Sequence, residues 1–267
     1  MIELHFHCLP GIDDGPTTWD DAVELCRAAA REGTTTIVAT PHVLRRQWSN
    51  EDPEARARLV GELNDRLGGR PTVLPGSEYL FGPSLLELLE DPASPLTRLN
   101  GGRYLLVEFG SLPAPGAVEN VFHEMSLLGT TPIVAHPERH AVLSRDPGRV
   151  AALVDRGAAV QVTAGSLLGE FGEAAQLAAE ELMRRGLVHL VASDAHDARR
   201  RPPRLAAARS RVRRDWGIAA EEAIFERHPA AVLASLTLDG KPVEPTQPAE
   251  PAGPLAPVET LPATESA

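Results

Sequence analysis

Seven short apolar runs alternate along the chain with segments of helical periodicity, and that alternation limits the folds open to it. The runs are IELHF (2–6), TTIVAT (35–40), TVLPG (72–76), YLLVEF (104–109), PIVAH (132–136), AVQVT (159–163) and VHLVAS (188–193). Helical patterning fills 18–32, 52–68, 83–90, 116–128, 147–156, 173–185 and 203–214. In the first of these, Trp19, Ala22, Val23, Cys26, Ala29 and Ala30 recur on one helical face. Continuously apolar strands are those buried on both sides, so helices must cover a parallel sheet. The expected class is α/β, with seven units either closing into a barrel or forming a doubly wound sheet.

The residue types at the strand ends carry the functional signal. His5 and His7 stand in and after the first run, with Asp14 in the following loop. His42 follows the second run, Glu78 the third, Glu108 lies in the fourth, His136 ends the fifth, and Asp194 and His196 follow the seventh. Active sites of α/β barrels form at that end of the sheet. A lone histidine there is more often a hydrogen-bonded structural residue, and a carboxylate inside an apolar strand is costly unless paired or metal-bound. Six strands delivering His, Asp or Glu to one end is a different matter. Residues i and i+2 of a strand share a face, so His5 and His7 can grip one cation. Mixed histidine and carboxylate donors suit manganese, iron or zinc rather than calcium.

Composition removes several alternatives. Of 26 basic residues only Lys241 is a lysine, which excludes Schiff-base chemistry and a P-loop. The formal net charge of -11 argues against binding nucleic acid or an anionic membrane surface. No apolar run reaches the roughly 18 residues of a membrane span, and MIELHFHCLPG has no basic-then-apolar leader pattern. The expectation is a cytoplasmic protein with no membrane insertion. Two cysteines, Cys8 and Cys26, form no disulfide framework. Neither is followed by arginine in the C-x5-R spacing of cysteine-dependent phosphatases, since Asp14 and Glu32 occupy the sixth positions.

The motifs H-x-H-x-x-P-G-I-D-D-G (5–15), A-T-P-H (39–42), G-S-E-Y (76–79), V-E-F (107–109), A-H-P-E-R (135–139) and S-D-A-H (193–196) resemble the polymerase-and-histidinol-phosphatase (PHP) superfamily. Within it, P-G-I-D-D-G and A-H-P-E-R resemble the bacterial CpsB/YwqE-type tyrosine phosphatases, over about residues 1–235. That resemblance implies a distorted seven-stranded (β/α)7, TIM-like barrel. It also implies three divalent metal ions, usually manganese, with iron, magnesium or zinc as alternatives. His5, His7, Glu78 and Asp194 would hold the first ion; Glu78, Glu108 and His136 the second; Asp14, His42 and His196 the third. Arg139 and Arg201 match arginines that bind phosphate or protonate the leaving group, although Arg199, Arg200 and Arg201 are consecutive and leave the register between Arg200 and Arg201 open. The implied substrate is a phosphotyrosine protein, a bacterial tyrosine autokinase controlling capsular or exopolysaccharide synthesis. A homo-oligomer is also implied, though no interface motif stands in the sequence. Phe6 between the first histidines and Cys8 after them depart from the pattern without removing a ligand.

The chemistry expected of such a site is direct in-line hydrolysis, with cations neutralising the phosphoryl oxygens and arginine adding bidentate donors. Two other readings stay open at this point: a small-molecule phosphoesterase of the histidinol-phosphate type on the same scaffold, and a non-catalytic scaffold. Arg45, Arg46 and Trp48, after His42, could meet phosphate and a substrate ring or simply form a solvated loop. Thr163 and Ser166 follow the one strand without a ligand, where a supporting role is conceivable. Cys26 reads as an inert buried thiol, and Cys8 as structural. The catalytic unit is expected to span 1–240. From Lys241 onward Pro recurs every third residue, from Pro242 to Pro257, a pattern suited to polyproline II and to no packed core. Residues 241–267 are read as a disordered, solubilising tail, with P-x-x-P docking as the alternative.

Overall fold

The computed structural model describes residues 1–111 and 116–239, so the expected tail at 241–267 lies outside the described residues. Nine strands appear where seven were expected: β1 (Ile2–Phe6), β2 (Thr36–Ala39), β3 (His42–Val43), β4 (Thr72–Pro75), β5 (Glu78–Leu80), β6 (Tyr104–Glu108), β7 (Thr131–Ala135), β8 (Ala159–Thr163) and β9 (Leu190–Ala192). The two additional strands, β3 and β5, fall just beyond the second and third runs. Pro41 has no N–H to offer a ladder. At Gly76 a Cβ would come within 2.7 Å of Val38 Cγ1 and 3.1 Å of the Ala39 carbonyl oxygen, so only glycine lets the chain pass there. Every pairing is parallel. The ladders form a three-stranded sheet, β1-β2-β4, and a six-stranded sheet, β3-β5-β6-β7-β8-β9. The α/β class with parallel sheets is as expected; among the described residues the ladders do not close a ring. β1 meets the segment after β9 through the single bridge Phe6–Ala195.

Helices α1 (Trp19–Arg31) and α2 (Pro53–Leu67) cover the small sheet. The starts are encoded locally. Thr18 accepts a hydrogen bond from the Asp21 N–H, and Asp52, followed by Pro53 in the first turn, accepts from Ala55. Helices α3 (Leu85–Glu90), α4 (Ala117–Leu127), α5 (Pro147–Asp155), α6 (Ala164–Leu167), α7 (Glu173–Arg184) and α8 (Leu205–Trp216) follow along the larger sheet, and α9 (Ile218–Glu222) and α10 (His228–Leu233) close the described chain. No helix among the described residues is long and apolar enough to cross a membrane.

Three apolar clusters hold the layers. One lies between the small sheet and its helices and contains both Cys8 and Cys26. A second lies under α4, α5, α7 and α8. The third draws Leu4, Val38, Tyr104, Leu106, Ile133, Ala159 and Leu190 from strands of both sheets. It forms an aliphatic floor beneath the strand ends that carry the polar residues. Both thiols are fully buried. Contact with Cys26, together with burial, pushes the Cys8 thiol well above its usual range, and Cys26 is packed into the same apolar cluster.

His189, at the foot of β9, shows how the floor responds to acid. Its Nδ1 accepts the Val160 N–H at 3.1 Å, which only a neutral ring can do. Burial, with His228 adding to it, lowers its pKa from 6.5 to about 4. The folded state therefore binds fewer protons than the unfolded chain between those values, and stability falls as pH drops from about 6.5 toward 4. The loss reaches at most about 3 kcal/mol. Denaturant titrations at pH 7 and pH 4.5 should show His189→Gln losing less stability than the parent; equal losses would contradict this origin.

Candidate metal centre

The two sheets bring all nine sequence-expected donors to one end. His42 on β3 stands directly opposite Glu78 on β5, and Leu80, two residues on, is paired with Glu108 of β6. His136 and Asp194 each follow a strand in the left-handed region, with φ of 34° and 53°. Backbone in that region is uncommon outside glycine and tends to persist where surrounding structure holds it. The register of β1 shifts between Glu3 and Phe6, and His5 and His7 converge until their Nε2 atoms are 3.2 Å apart.

Glu78 lies at the centre. Its carboxylate is 2.8 Å from His42 Nδ1, 3.3 Å from His136 Nε2, 3.4 Å from His5 Nε2 and 3.5 Å from His7 Nε2. Asp194 Oδ1 is 3.2 Å from His5 Nε2. Asp14, the most exposed member, reaches His42 at 3.3 Å and His196 at 3.2 Å. Glu108 lies 3.9 Å from His136. The donors fall into four overlapping groups: His7, Asp14, His42 and His196; His5, Glu78 and His136; His5, His7 and Asp194; and His42, Glu78 and Glu108.

Electrostatics within this pocket are strongly coupled. Burial opposes ionisation of Glu78, yet His5, His136 and His42 outweigh it and hold the carboxyl well below its usual range. Asp194 is lowered in the same way, by His5, His136 and Arg201 against burial. For His7, burial disfavours the charged ring, but Asp13 and Glu78 prevail and push its pKa to about 10. Glu78 Oε1 and His196 Nε2 are buried without a well-formed hydrogen bond. Lone pairs crowded toward a common centre are what a divalent cation would satisfy, and the mixed donor set fits a transition metal.

Several supporting residues escape sequence reasoning. Gln161 Oε1 lies 2.8 Å from His5 Nδ1, and Asp13 Oδ2 lies 2.8 Å from His7 Nδ1. Each can accept an N–H there, which fixes the tautomer and turns Nε2 toward the cluster. His196 Nδ1 lies 2.9 Å from the Asp194 carbonyl oxygen, with the same effect. The Asn50 amide donates to the carbonyls of Ile12 and His42 at 2.9 and 2.7 Å. It thereby ties the Asp14 loop to β3, and buried Arg56 donates in turn to the Asn50 carbonyl. Glu138 accepts from the Thr163 N–H and the Ser166 hydroxyl at 3.0 and 2.7 Å, so those two residues anchor the turn carrying His136 and Arg139. Thr163 and Ser166 were marked by their position after the strand without a ligand, and Asp13 and Glu138 stand inside the D-D and A-H-P-E-R motifs; Gln161, Asn50 and Arg56 had no visible sequence signal.

Two arginines converge on one oxygen. Arg139 Nη1 and Arg201 Nη2 donate to Asp194 Oδ2 at 2.5 and 2.7 Å. Arg199 and Arg200 are exposed, and their backbone N–H groups bond Asp197; the geometry therefore favours Arg201 as the second arginine of the cluster. Arg45 pairs with Glu108, and Trp48 stacks on His42 with ring centres 5.4 Å apart. The loop after β3 is thus folded onto the cluster rather than extended into solvent. A cavity of about 220 Å³ opens beside Glu108, His136, Arg139 and His140.

Comparison with known proteins agrees with this architecture. The family model for capsular polysaccharide synthesis proteins CpsB/CapC matches residues 1–234. Tyrosine-protein phosphatase YwqE of Bacillus subtilis is 39% identical over 206 residues, covering 75% of this chain and 79% of YwqE. Tyrosine-protein phosphatase CpsB of Streptococcus pneumoniae is 29% identical over 242 residues, covering 87% and 98%. A solved structure from the crystallographic work on those two proteins, described as unique metal-dependent tyrosine phosphatases, superposes with a TM-score of 0.83 at 34% identity. It covers 91% of this chain and 100% of that one. The chain belongs to the CpsB/CapC family.

Proposed function

We propose that this chain is a metal-dependent protein-tyrosine phosphatase, acting on a tyrosine autokinase that controls capsular or exopolysaccharide synthesis. The observation that carries the reading is the convergence of Arg139 and Arg201 on Asp194 Oδ2, at the edge of a buried histidine–carboxylate cluster. Fixed cations beside crowded metal donors form a seat for a phosphate ester. Family membership and the named activity of YwqE and CpsB point to the same chemistry.

Three divalent ions, manganese first among them, are held in this reading by the nine donors: His5, His7, Glu78 and Asp194; Glu78, Glu108 and His136; Asp14, His42 and His196. Bound metal lowers the pKa of water and neutralises charge on the phosphoryl group. The chain's own residues do the rest. Arg139 and Arg201 orient the phosphate through planar, charge-assisted donors, and the departing phenolate, with a pKa near 10, takes its proton from solvent. Gln161 and Asp13 keep His5 and His7 in the ligating tautomer. Asn50 holds the Asp14 and His42 loops in register. The catalytic unit is residues 1–240, read as a distorted seven-stranded barrel of the PHP type in which β3 continues β2 and β5 continues β4. Residues 241–267 are dispensable for the chemistry.

The test is a steady-state assay of the Mn²⁺-loaded full chain on a phosphotyrosine peptide, a phosphoserine peptide and histidinol phosphate. Phosphotyrosine should be preferred at least tenfold in kcat/KM, and chelation should abolish the rate. Comparable low rates on all three esters would overturn the assignment.

A further inference from the structure

We infer that Phe171 is a specificity-determining residue: its exposed ring receives the phenyl group of the substrate while Arg139 receives the phosphate. Phe171 lies in the turn between α6 and α7 and is 36% exposed, one of few large apolar side chains so placed among the described residues. It is not an idle surface residue. The Arg139 guanidinium stacks over its ring, 4.4 Å from the centre. The ring also lies against Gly165, where a Cβ would come within 2.8 Å of Phe171 Cε2. Any larger residue at 165 would force the ring or its neighbours to shift. The turn is pinned from outside by Glu170, which pairs with Arg204 at 3.0 Å.

The geometry joins two recognition elements through one side chain. Arg139 offers Nη1 to Asp194 at the cluster and its flat face to Phe171. An aryl phosphate has its ring one ester oxygen from phosphorus, so a phosphate seated on Arg139 carries its ring to the rim where Phe171 is exposed. Aromatic rings gain from offset or edge contact with one another, and a phosphoserine side chain has no such face to offer. Arg139 also borders the cavity lined by Glu108, His136 and His140 together with Phe109, Ala135, Ala141 and Leu143; Phe109 is only 6% exposed against 36% for Phe171, so it offers far less ring to a substrate. This inference rests on the phosphotyrosine reading and adds the residue that would discriminate aryl from alkyl esters.

The experiment compares phenyl phosphate with a simple alkyl phosphate on the Mn²⁺-loaded full chain and on Phe171→Ala, Phe171→Leu and Phe171→Tyr, with inorganic phosphate as a competitive inhibitor of each. The ratio of kcat/KM for aryl over alkyl ester should fall about tenfold in the alanine and leucine variants, chiefly through KM, and be retained in the tyrosine variant. The inhibition constant of inorganic phosphate should shift by less than twofold. If both esters and inorganic phosphate weaken together, Phe171 only buttresses Arg139 and the inference falls. An unchanged ratio in the leucine variant also overturns it. A parent enzyme with no aryl preference would overturn the phosphotyrosine reading itself, which separates the two failures.

Discussion

Glu78→Gln is expected to lower kcat/KM for a phosphotyrosine peptide by about 1000-fold or more, a loss of about 4 kcal/mol in transition-state stabilisation. The substitution keeps the shape of the side chain and removes only its charge. That charge is the shared centre of the cluster, because the carboxylate is 1% exposed and lies within 3.5 Å of imidazole nitrogens from His5, His7, His42 and His136. An amide would turn N–H donors toward nitrogens whose lone pairs must face a cation. The bound manganese per chain should fall with the rate, as read by elemental analysis after desalting. The metal-free protein should also lose stability, since removing one partner of a buried charge cluster typically costs about 3–5 kcal/mol. A variant that kept parental metal content and rate would refute the central role given to Glu78.

The types and places of eight of the nine candidate donors were legible because they lie at or just after a strand, and strand ends are set by local patterning; Asp14, in the loop after β1, stood out through its D-D motif. Their grouping was less so. His5 and His7 could be paired from their spacing, but the approach of Glu78 to four histidines depends on the facing of β3 and β5, which no local pattern encodes. The breaks between β2 and β3 and between β4 and β5 fall at Pro41 and at the tight passage of Gly76. Proline was visible in the sequence; the crowding by Val38 and Leu99 was a tertiary fact. The supporting residues were hidden for the same reason. Gln161 sits in an apolar strand 156 residues from the histidine it orients, and Asn50 is an ordinary loop residue until Ile12 and His42 are brought beside it. Thr163 and Ser166 bond Glu138, in the turn after His136, a partner that their positions alone did not suggest. Phe171 lay between glycines with nothing in its spacing to link it to Arg139.

Arg139→Lys and Arg201→Lys should each lower kcat/KM about 100-fold, because lysine keeps the charge but loses the planar, bidentate geometry that matches an oxyanion. The double variant should lose less than the product of the two. Both guanidinium groups already share one acceptor, Asp194 Oδ2, and residues bound to a common partner are expected to couple. Each lysine variant should also weaken inhibition by inorganic phosphate, which places the loss in phosphate binding rather than in folding. Arg200→Lys serves as the control: Arg200 is exposed, and its partner is Asp197, through the backbone N–H and through charge that lysine keeps, so its rate should stay within about twofold of the parent. A large loss at Arg200 with none at Arg201 would shift the assignment by one residue. Strictly multiplicative losses at Arg139 and Arg201 would mean that the two act on different parts of the reaction. Arg201 would then serve the leaving phenolate and Arg139 alone the phosphate, a division that the pH dependence of kcat in the two single variants would separate.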